Sequence, residues 1–490
     1  MCTLFKPLNE EKAMPLNENK SSRLYEQVAD HIAGMIEART YRPGERIPSV
    51  REMSAQKRIS VTTVLQAYGL LESQGLIEAR PQSGYYVRSR FSSSVPVPDI
   101  SSPQCDPTKV SIHELTLMVM KDLFNPNLIP LGAATPNSNL LPADKLNRIL
   151  AAIARRKSLE SIKYDIPPGY KPLRIQIAQK SLKANATINP DEIITTAGCI
   201  EAIDLCLRAV CKSGDTVAIE SPTYFGILQS MESMGLKALE IPTHPSEGIN
   251  IDTLMFAVEQ TPVKACLVIS NYNNPLGSCI PDEKKRHLVS LLADLDIPLI
   301  EVDISGELHF SDTRPSVCKA YDKKGLVLLC SSFSKTLCPG YRVGWVAAGR
   351  YQPKIEWLKF TSSLATATLP QMALAEYLQS GGYESHMRKV RRAYACNISN
   401  MYEAVIRHFP EGTRVSRPAG GYVLWIQMPE AIDSLILYKL ALQAGITLSP
   451  GYLFSATRRY KNYIRLNASR WTHEIQQGVI RLGKIAHTLV

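Results

Sequence analysis

From about residue 111 to its end, the chain alternates short apolar runs with longer amphipathic stretches. The runs DTVAIE, ACLVISN, PLIEVD and LVLLCSS are examples. This alternation restricts the region to a mostly parallel sheet wrapped by helices. The chain ahead of it has a different texture. Residues 21–89 show helix-like periods broken by short polar stretches. Residues 90–110, RFSSSVPVPDISSPQCDPTKV, are rich in Ser and Pro and predict an extended, unpacked linker. With 490 residues the chain is too long for one ordinary core. The expected division is a flexible tail (1–20), a small head (21–89), a linker (90–110) and a large α/β domain (111–490).

Composition narrows the classes further. A hydrophobic share of 45% with 21% charged residues matches a soluble globular protein. No apolar run approaches the roughly 18 residues of a membrane span. The first residues, MCTLFKPLNEEKAMPLNENK, lack the apolar core of a secretory signal. The 11 cysteines are odd in number and scattered, with no C-x-x-C pair. That disfavours a metal site and a disulfide framework and points to reduced thiols in a cytoplasm. A formal charge of +11 suits a polyanion such as DNA, although many soluble proteins are also basic.

In the head, SSRLYEQVADHIAGMIEART reads as one amphipathic helix. Leu24, Val28, Ile32, Met35 and Ile36 recur at helical spacing, with Ser21 or Ser22 as cap. Pro43-Gly44 turns the chain, Ser49 can cap a second helix, and Ser60 can cap a third. LIEARPQSGYYVRS predicts two short strands about a turn at Gln82-Ser83-Gly84. Three helices and a β-hairpin make a winged helix-turn-helix. A helix start carrying Ser60, Thr62 and Thr63 offers hydroxyls and backbone amides to phosphates and base edges. Arg51, Arg80 and Arg88 would add charge against a DNA backbone. Taken one at a time, these polar residues could equally be caps on a solvated face.

Their order carries a resemblance. Leu24-Tyr25, Arg42-Pro43-Gly44, Pro48-Ser49-Val50-Arg51-Glu52, Ser60-x-Thr62-Thr63-Val64, Ala67-Tyr68, Leu71-Glu72, Gly75 and Ser83-Gly84-x-x-Val87 resemble the GntR family. The resemblance implies binding to double-stranded DNA through Ser49, Arg51, Ser60, Thr62, Thr63 and Gly84. One departure stands out. The position between Ser60 and Thr62, often a base-reading arginine in that family, is Val61, so readout there falls to methyl contact or to DNA shape.

In the large domain, SSFSKTLCPGYRVGW follows the apolar run LVLLC. A lysine among small hydroxyl residues can form a Schiff base with an aldehyde cofactor, and serines with an arginine suit its phosphate. The segment resembles the lysine motif of fold-type I, pyridoxal-phosphate-dependent aminotransferases. The resemblance implies that Lys335 attaches pyridoxal 5'-phosphate and that Ser332, Arg342, Gly198 and Cys199 hold its phosphate. Tyr224 stacks on the ring, Asn274 bonds its phenolic oxygen, and Tyr164 reaches the phosphate of a neighbouring subunit. Arg465 grips a substrate carboxylate.

A second departure bears on activity. Active relatives read E-D-D-x-Y-x-E-L before the lysine segment, where this chain has Glu301-Val302-Asp303-Ile304-Ser305-Gly306-Glu307-Leu308. Aligned without gaps, the aspartate that pairs with the pyridine nitrogen falls on Val302, and the tyrosine on Ser305. Asp303 is one residue away, but neighbours in a strand face opposite sides, so only a register shift or bulge would bring it in. A GntR-like reader joined to such a domain resembles the MocR subfamily of bacterial regulators. That implies a DNA-binding homodimer that senses pyridoxal phosphate, or an amino compound, through an aldimine, with weakened catalysis. An active aminotransferase with a DNA-binding appendage, and a scaffold that has lost its cofactor, are the alternatives.

Overall fold

The computed structural model describes residues 23–38, 40–41, 44–74, 76–80, 83–87 and 95–490. The expected tail (1–20), the caps Ser21 and Ser22, the turn residues Arg42, Pro43, Gly75 and Gln82, Arg88 and the first part of the expected linker lie outside the described residues. The chain divides into two compact units, residues 1–90 and 91–490.

In the first unit, α1 (Leu24–Glu37) buries Val28 and Ile32 against α3 (Val61–Ser73). Leu24, the first member of the expected apolar stripe, is exposed. The N-cap of α1 is Arg23, whose backbone N–H donates to the Glu26 carboxylate at 2.9 Å. Ser49 caps α2 (Val50–Lys57) in a capping box: its Oγ accepts from Glu52 N, and the Glu52 carboxylate accepts from Ser49 N at 2.7 Å. Arg58 ends α2 in the left-handed region at φ 53°. Ser60 caps α3 by accepting from Thr63 N at 3.0 Å. The strands β1 (Ile77–Arg80) and β2 (Gly84–Val87) pair antiparallel as a wing. Gly84, which opens β2, has φ 101°, and a Cβ there would lie 3.0 Å from Arg46 Nε.

The second unit is built on a sheet whose central strands run parallel. Strand Thr216–Ser221 lies between Lys237–His244 and Val263–Ile269, followed by Leu299–Val302 and Val327–Ser332, all parallel. Gly344–Ala347 then runs antiparallel between Val327–Ser332 and Ile193–Thr196. The order of strands is therefore not their chain order, and helices cover both faces through two apolar clusters. A smaller antiparallel sheet places Tyr463–Asn467 beside Val423–Gln427 and Ser449–Pro450.

The expected linker does not stay unpacked. In β3 (Thr108–Lys109) it adds a short antiparallel strand to the edge strand Lys237–His244. Ser101 Oγ donates to Ser221 O at 2.5 Å and accepts from Thr243 N at 2.9 Å. Asp99 N donates to Gln427 at 2.8 Å. A Ser-rich extended segment can satisfy an open sheet edge as readily as it can bind water, and here the edge takes it.

Candidate functional site

Three parallel strands end at one cleft. Ile269, Val302 and Ser332 are the last residues of their strands, and all three line it. This is the carboxyl-end crevice where open α/β sheets bind ligands. The cleft measures about 270 Å³. Cys199, Tyr224, Asn274, Ser332, Lys335, Arg342 and Arg465, predicted from the sequence as site residues, line the same cleft.

Lys335 stands in a loop just past strand Val327–Ser332. Its Nζ donates to Ala134 O at 2.8 Å. Burial, followed by the charge of Arg465, pushes its pKa down to about 8. An amine that loses its proton this easily is a ready nucleophile near neutral pH. Gly198 N-caps helix Cys199–Val210 at φ 98°, and a Cβ there would stand 2.4 Å from Arg342 Nη2. Only glycine leaves room for that guanidinium beside the helix N-terminus. Arg342 Nη2 donates to Ala197 O at 3.0 Å. A helix start, a guanidinium and the Ser332 hydroxyl thus converge as an anion cradle. Burial raises the Cys199 thiol well above its ordinary value, so it stays protonated.

Arg465, on strand Tyr463–Asn467, is 1% exposed. Its guanidinium donates to Asn274 Oδ1 at 3.0 Å, to Ser449 Oγ at 2.9 Å and to Gly132 O. Its Nε has no hydrogen-bond partner, and burial lowers its pKa to about 10. Among the described residues no carboxylate pairs with Arg465 or Arg342, and none lines the cleft. Three cations thus face a cleft without a counter-ion.

Val302 closes the floor, with Ser305 beside it. Asp303 is turned away: its carboxylate accepts from Asn271 Nδ2 at 3.0 Å and pairs with Arg314. The strand shows no bulge at this point, since Val302 stays in register with Ile269 and Cys330. Tyr164 is 79% exposed and does not line the cleft of its own chain.

Sequence reasoning missed the Ala134 carbonyl, Ser334 and a wall of Met120, Leu123 and Phe124 from the end of α4 (His113–Leu123) and the residue after it. A backbone carbonyl leaves no residue-type signature. Ser334 lies inside the quoted lysine segment and was legible there.

In the first unit, Arg51, Ser60 and Thr62 are exposed. Thr63 is half-buried, with its hydroxyl 2.8 Å from Ser60 Oγ. Arg80 is not the free wing charge the sequence suggested. It bonds Glu78 at 2.9 Å through Nε and lies 4.3 Å from the centre of the Tyr86 ring.

Residues 24–87 match the family model described as bacterial regulatory proteins, gntR family, and residues 135–482 match that of aminotransferase class I and II. The chain is 38% identical to an HTH-type transcriptional regulator of Escherichia coli (strain K12), YdcR, across 94% of this chain and 98% of that protein. The chain belongs to this family of regulators, a gntR-type head fused to an aminotransferase-class domain. Its large domain is also similar to solved enzymes. A multiple substrate aminotransferase from Thermococcus profundus superposes with a TM-score of 0.71 at 27% identity, over 76% of this chain and 94% of that one. LysN, an α-aminoadipate aminotransferase from Thermus thermophilus complexed with N-(5'-phosphopyridoxyl)-L-leucine, gives 0.70 at 26% identity over 78% and 99%.

Tested against pyridoxal 5'-phosphate, the cleft of this regulator fits at the phosphate and at the aldehyde. The glycine-spaced anion cradle suits the first and the buried Lys335 amine the second. Where the sequence pattern expects the acid for the ring nitrogen, the cleft carries Val302, and no carboxylate lines it.

Proposed function

We propose that this protein is a DNA-binding transcription regulator whose aminotransferase-like domain holds pyridoxal 5'-phosphate at Lys335 and senses an amino compound there with little turnover. The observation that carries this reading is the cleft with Lys335, Arg342 and Arg465 and no carboxylate. It is built for a ligand with two anionic ends, and its floor lacks an acid.

When bound, pyridoxal phosphate supplies an aldehyde that couples to amines and a ring that draws electrons from the neighbouring carbon when its nitrogen is protonated. Lys335, with its pKa lowered to about 8, presents to that aldehyde an amine that is neutral far more often near neutral pH than an ordinary lysine. Ser332, Arg342, Gly198 and Cys199 hold the phosphate, with Tyr224 against the ring and Asn274 at the phenolic oxygen. Arg465 takes the carboxylate of an incoming amino compound through its unpartnered Nε. Val302 and Ser305 hold no proton at the ring nitrogen and give no bond to the phenolic oxygen. The chain therefore retains its ligand where an enzyme would process it. Occupancy of the cleft shifts the population of DNA-competent molecules.

The working unit is a homodimer. Leu159, Ile162 and Ile166, all exposed, flank Tyr164, which then reaches the cofactor phosphate of the second copy. The winged head reads an operator in the cytoplasm through Ser49, Arg51, Ser60, Thr62, Thr63 and Gly84. Among the described residues no helix is long and apolar enough to cross a membrane.

The test uses the full-length protein. Incubation with pyridoxal phosphate should give a visible absorbance band that borohydride fixes onto Lys335. Amino compounds should then change operator retention in a gel shift without being consumed. Efficient release of keto acid by the unmodified protein would refute the sensing reading in favour of an enzyme.

A further inference from the structure

In α3 the face turned to solvent is formed by Val61, Thr62, Leu65, Gln66 and Gly69, all exposed. Val61 is 46% exposed and Leu65 47%, while Val64, Ala67, Tyr68 and Leu71 fill the opposite, buried face. No residue from Val61 to Gly69 carries a charge. The helix's one carboxylate, Glu72, is taken by the wing, accepting from Ala79 N at 3.1 Å. The basic residues Arg51 and Arg58 precede this helix in the chain and are not on it. Arg51 is exposed in the first turn of α2, and Arg58, also exposed, lies in the turn that leads into α3.

A face of two aliphatic side chains, a threonine and an amide, with two exposed arginines ahead of it in the chain, has one suitable occupant. The arginines match a phosphate backbone. The centre matches the edges of A·T pairs in the major groove, where thymine presents a methyl and adenine presents the N6/N7 pair that a glutamine amide reads. Guanine in that groove calls for a bidentate arginine or lysine, and this face has neither. Val61 and Leu65 are one helical turn apart, about 6 Å along the axis, which spans about two base-pair steps. Gly69 carries no side chain, and an added Cβ there would meet nothing within 4 Å, so the face is open and unobstructed at that point.

We infer that α3 reads a thymine- and adenine-rich half-site, with Val61 and Leu65 packing on thymine methyl groups and Gln66 bonding adenine. This rests on the DNA-binding reading above and names the sequence class that reading leaves open.

The experiment selects duplexes from a random library with the full-length protein loaded with pyridoxal phosphate. It then replaces each thymine of the selected half-site by deoxyuridine, which removes only the 5-methyl. Binding should weaken by about fourfold per contacted methyl, the worth of one buried methylene. The V61A/L65A variant, altered only on the surface, should bind the thymine duplex more weakly and respond much less to deoxyuridine, so that the two losses are not additive. Equal affinity of the unmodified protein for thymine and deoxyuridine duplexes would overturn the inference, as would a selected half-site whose strongest positions are G·C. Failure to retain any duplex at low salt would instead overturn the DNA-binding reading itself. Unchanged binding by R51A, with the same salt slope, would remove Arg51 from the phosphate contacts.

Discussion

Val302 and Asp303 are adjacent in sequence and serve different sites. Val302 lines the cleft that holds Lys335, while the Asp303 carboxylate is bound to Arg314 and to Asn271 Nδ2 at 3.0 Å. The alternation of a regular strand separates them, and the unbroken register with Ile269 and Cys330 removes the bulge that would have swapped their places. The acid that follows Val302 in the sequence is thus already committed elsewhere.

Val302→Asp, combined with Ser305→Tyr, is expected to create transaminase activity where the parent has little. A carboxylate at the floor would hold a proton at the ring nitrogen and lower the barrier to proton removal. Each tenfold gain corresponds to about 1.4 kcal/mol, and a gain of about 10- to 1,000-fold is expected. Keto acid released from a panel of amino donors measures it. Asp303→Asn alone should leave that activity low and instead lower the melting temperature, because it breaks the pair with Arg314.

Lys335 gives a pH prediction. Its pKa is lowered by burial, then by Arg465, to about 8, against an ordinary 10.5. The reactive form is the neutral amine, so the rate at which cofactor-free protein captures pyridoxal phosphate should rise through about pH 8 and level off above it. Stopped-flow absorbance at a series of pH values reads this directly. A rate still climbing steeply toward pH 10.5 would mean that the amine is not desolvated. Lys335→Ala should abolish the borohydride-fixed adduct while leaving the melting temperature within a few degrees.

Much of this architecture was legible because its signals are local. The caps Ser49 and Ser60, the wing glycine Gly84 and the apolar strand runs each follow from a few neighbouring residues. The cleft residues were legible as an ordered set, since strand ends and the loops after them recur in sequence order. Three features were not legible. The packing of residues 95–109 depends on an open sheet edge more than 100 positions away. Arg80 looked like a free charge because its partners, Glu78 and Tyr86, could equally have pointed elsewhere. The Ala134 carbonyl that holds Lys335 belongs to the backbone, so no side chain announces it.

Glu307 is the hub of a buried charge cluster. Its carboxylate lies 3.3 Å from Lys180 Nζ, 3.2 Å from Arg314 Nε and 3.4 Å from Arg391 Nη2. Burial works against its charge, but these three cations hold its pKa at about 2, below the ordinary 4.5. A carboxyl depressed in the folded state adds stability that is fully present above the unfolded value and lost as pH falls through the folded one. Glu307→Gln should therefore destabilise the protein by about 3–5 kcal/mol at neutral pH, since it leaves buried cations unpaired. The gap between variant and parent should narrow as pH drops from about 4.5 toward 2. Denaturant titrations followed by circular dichroism at several pH values test both statements. A gap that does not change with pH would mean that Glu307 acts through packing alone.

On the proposed sensing reading, Arg465 should separate effector recognition from cofactor retention. It is buried and has no acidic partner among the described residues, so its charge is held at a cost that only an incoming anion offsets. Arg465→Met keeps most of the side-chain volume and removes the charge. The variant should retain pyridoxal phosphate at Lys335, because the phosphate cradle of Gly198, Ser332 and Arg342 is untouched. Its melting temperature should change little, since removing a buried cation with no acidic partner offsets the loss of its hydrogen bonds to Asn274, Ser449 and Gly132. Its response to α-amino acids should fall by about 10- to 100-fold, the worth of a charge-assisted hydrogen bond at about 1.5–3 kcal/mol. An amine of the same skeleton without the carboxylate should act equally on variant and parent. Titrating each compound against the bound cofactor's absorbance measures both affinities. Equal losses for the acid and the amine would show that Arg465 supports the cleft and does not recognise a carboxylate.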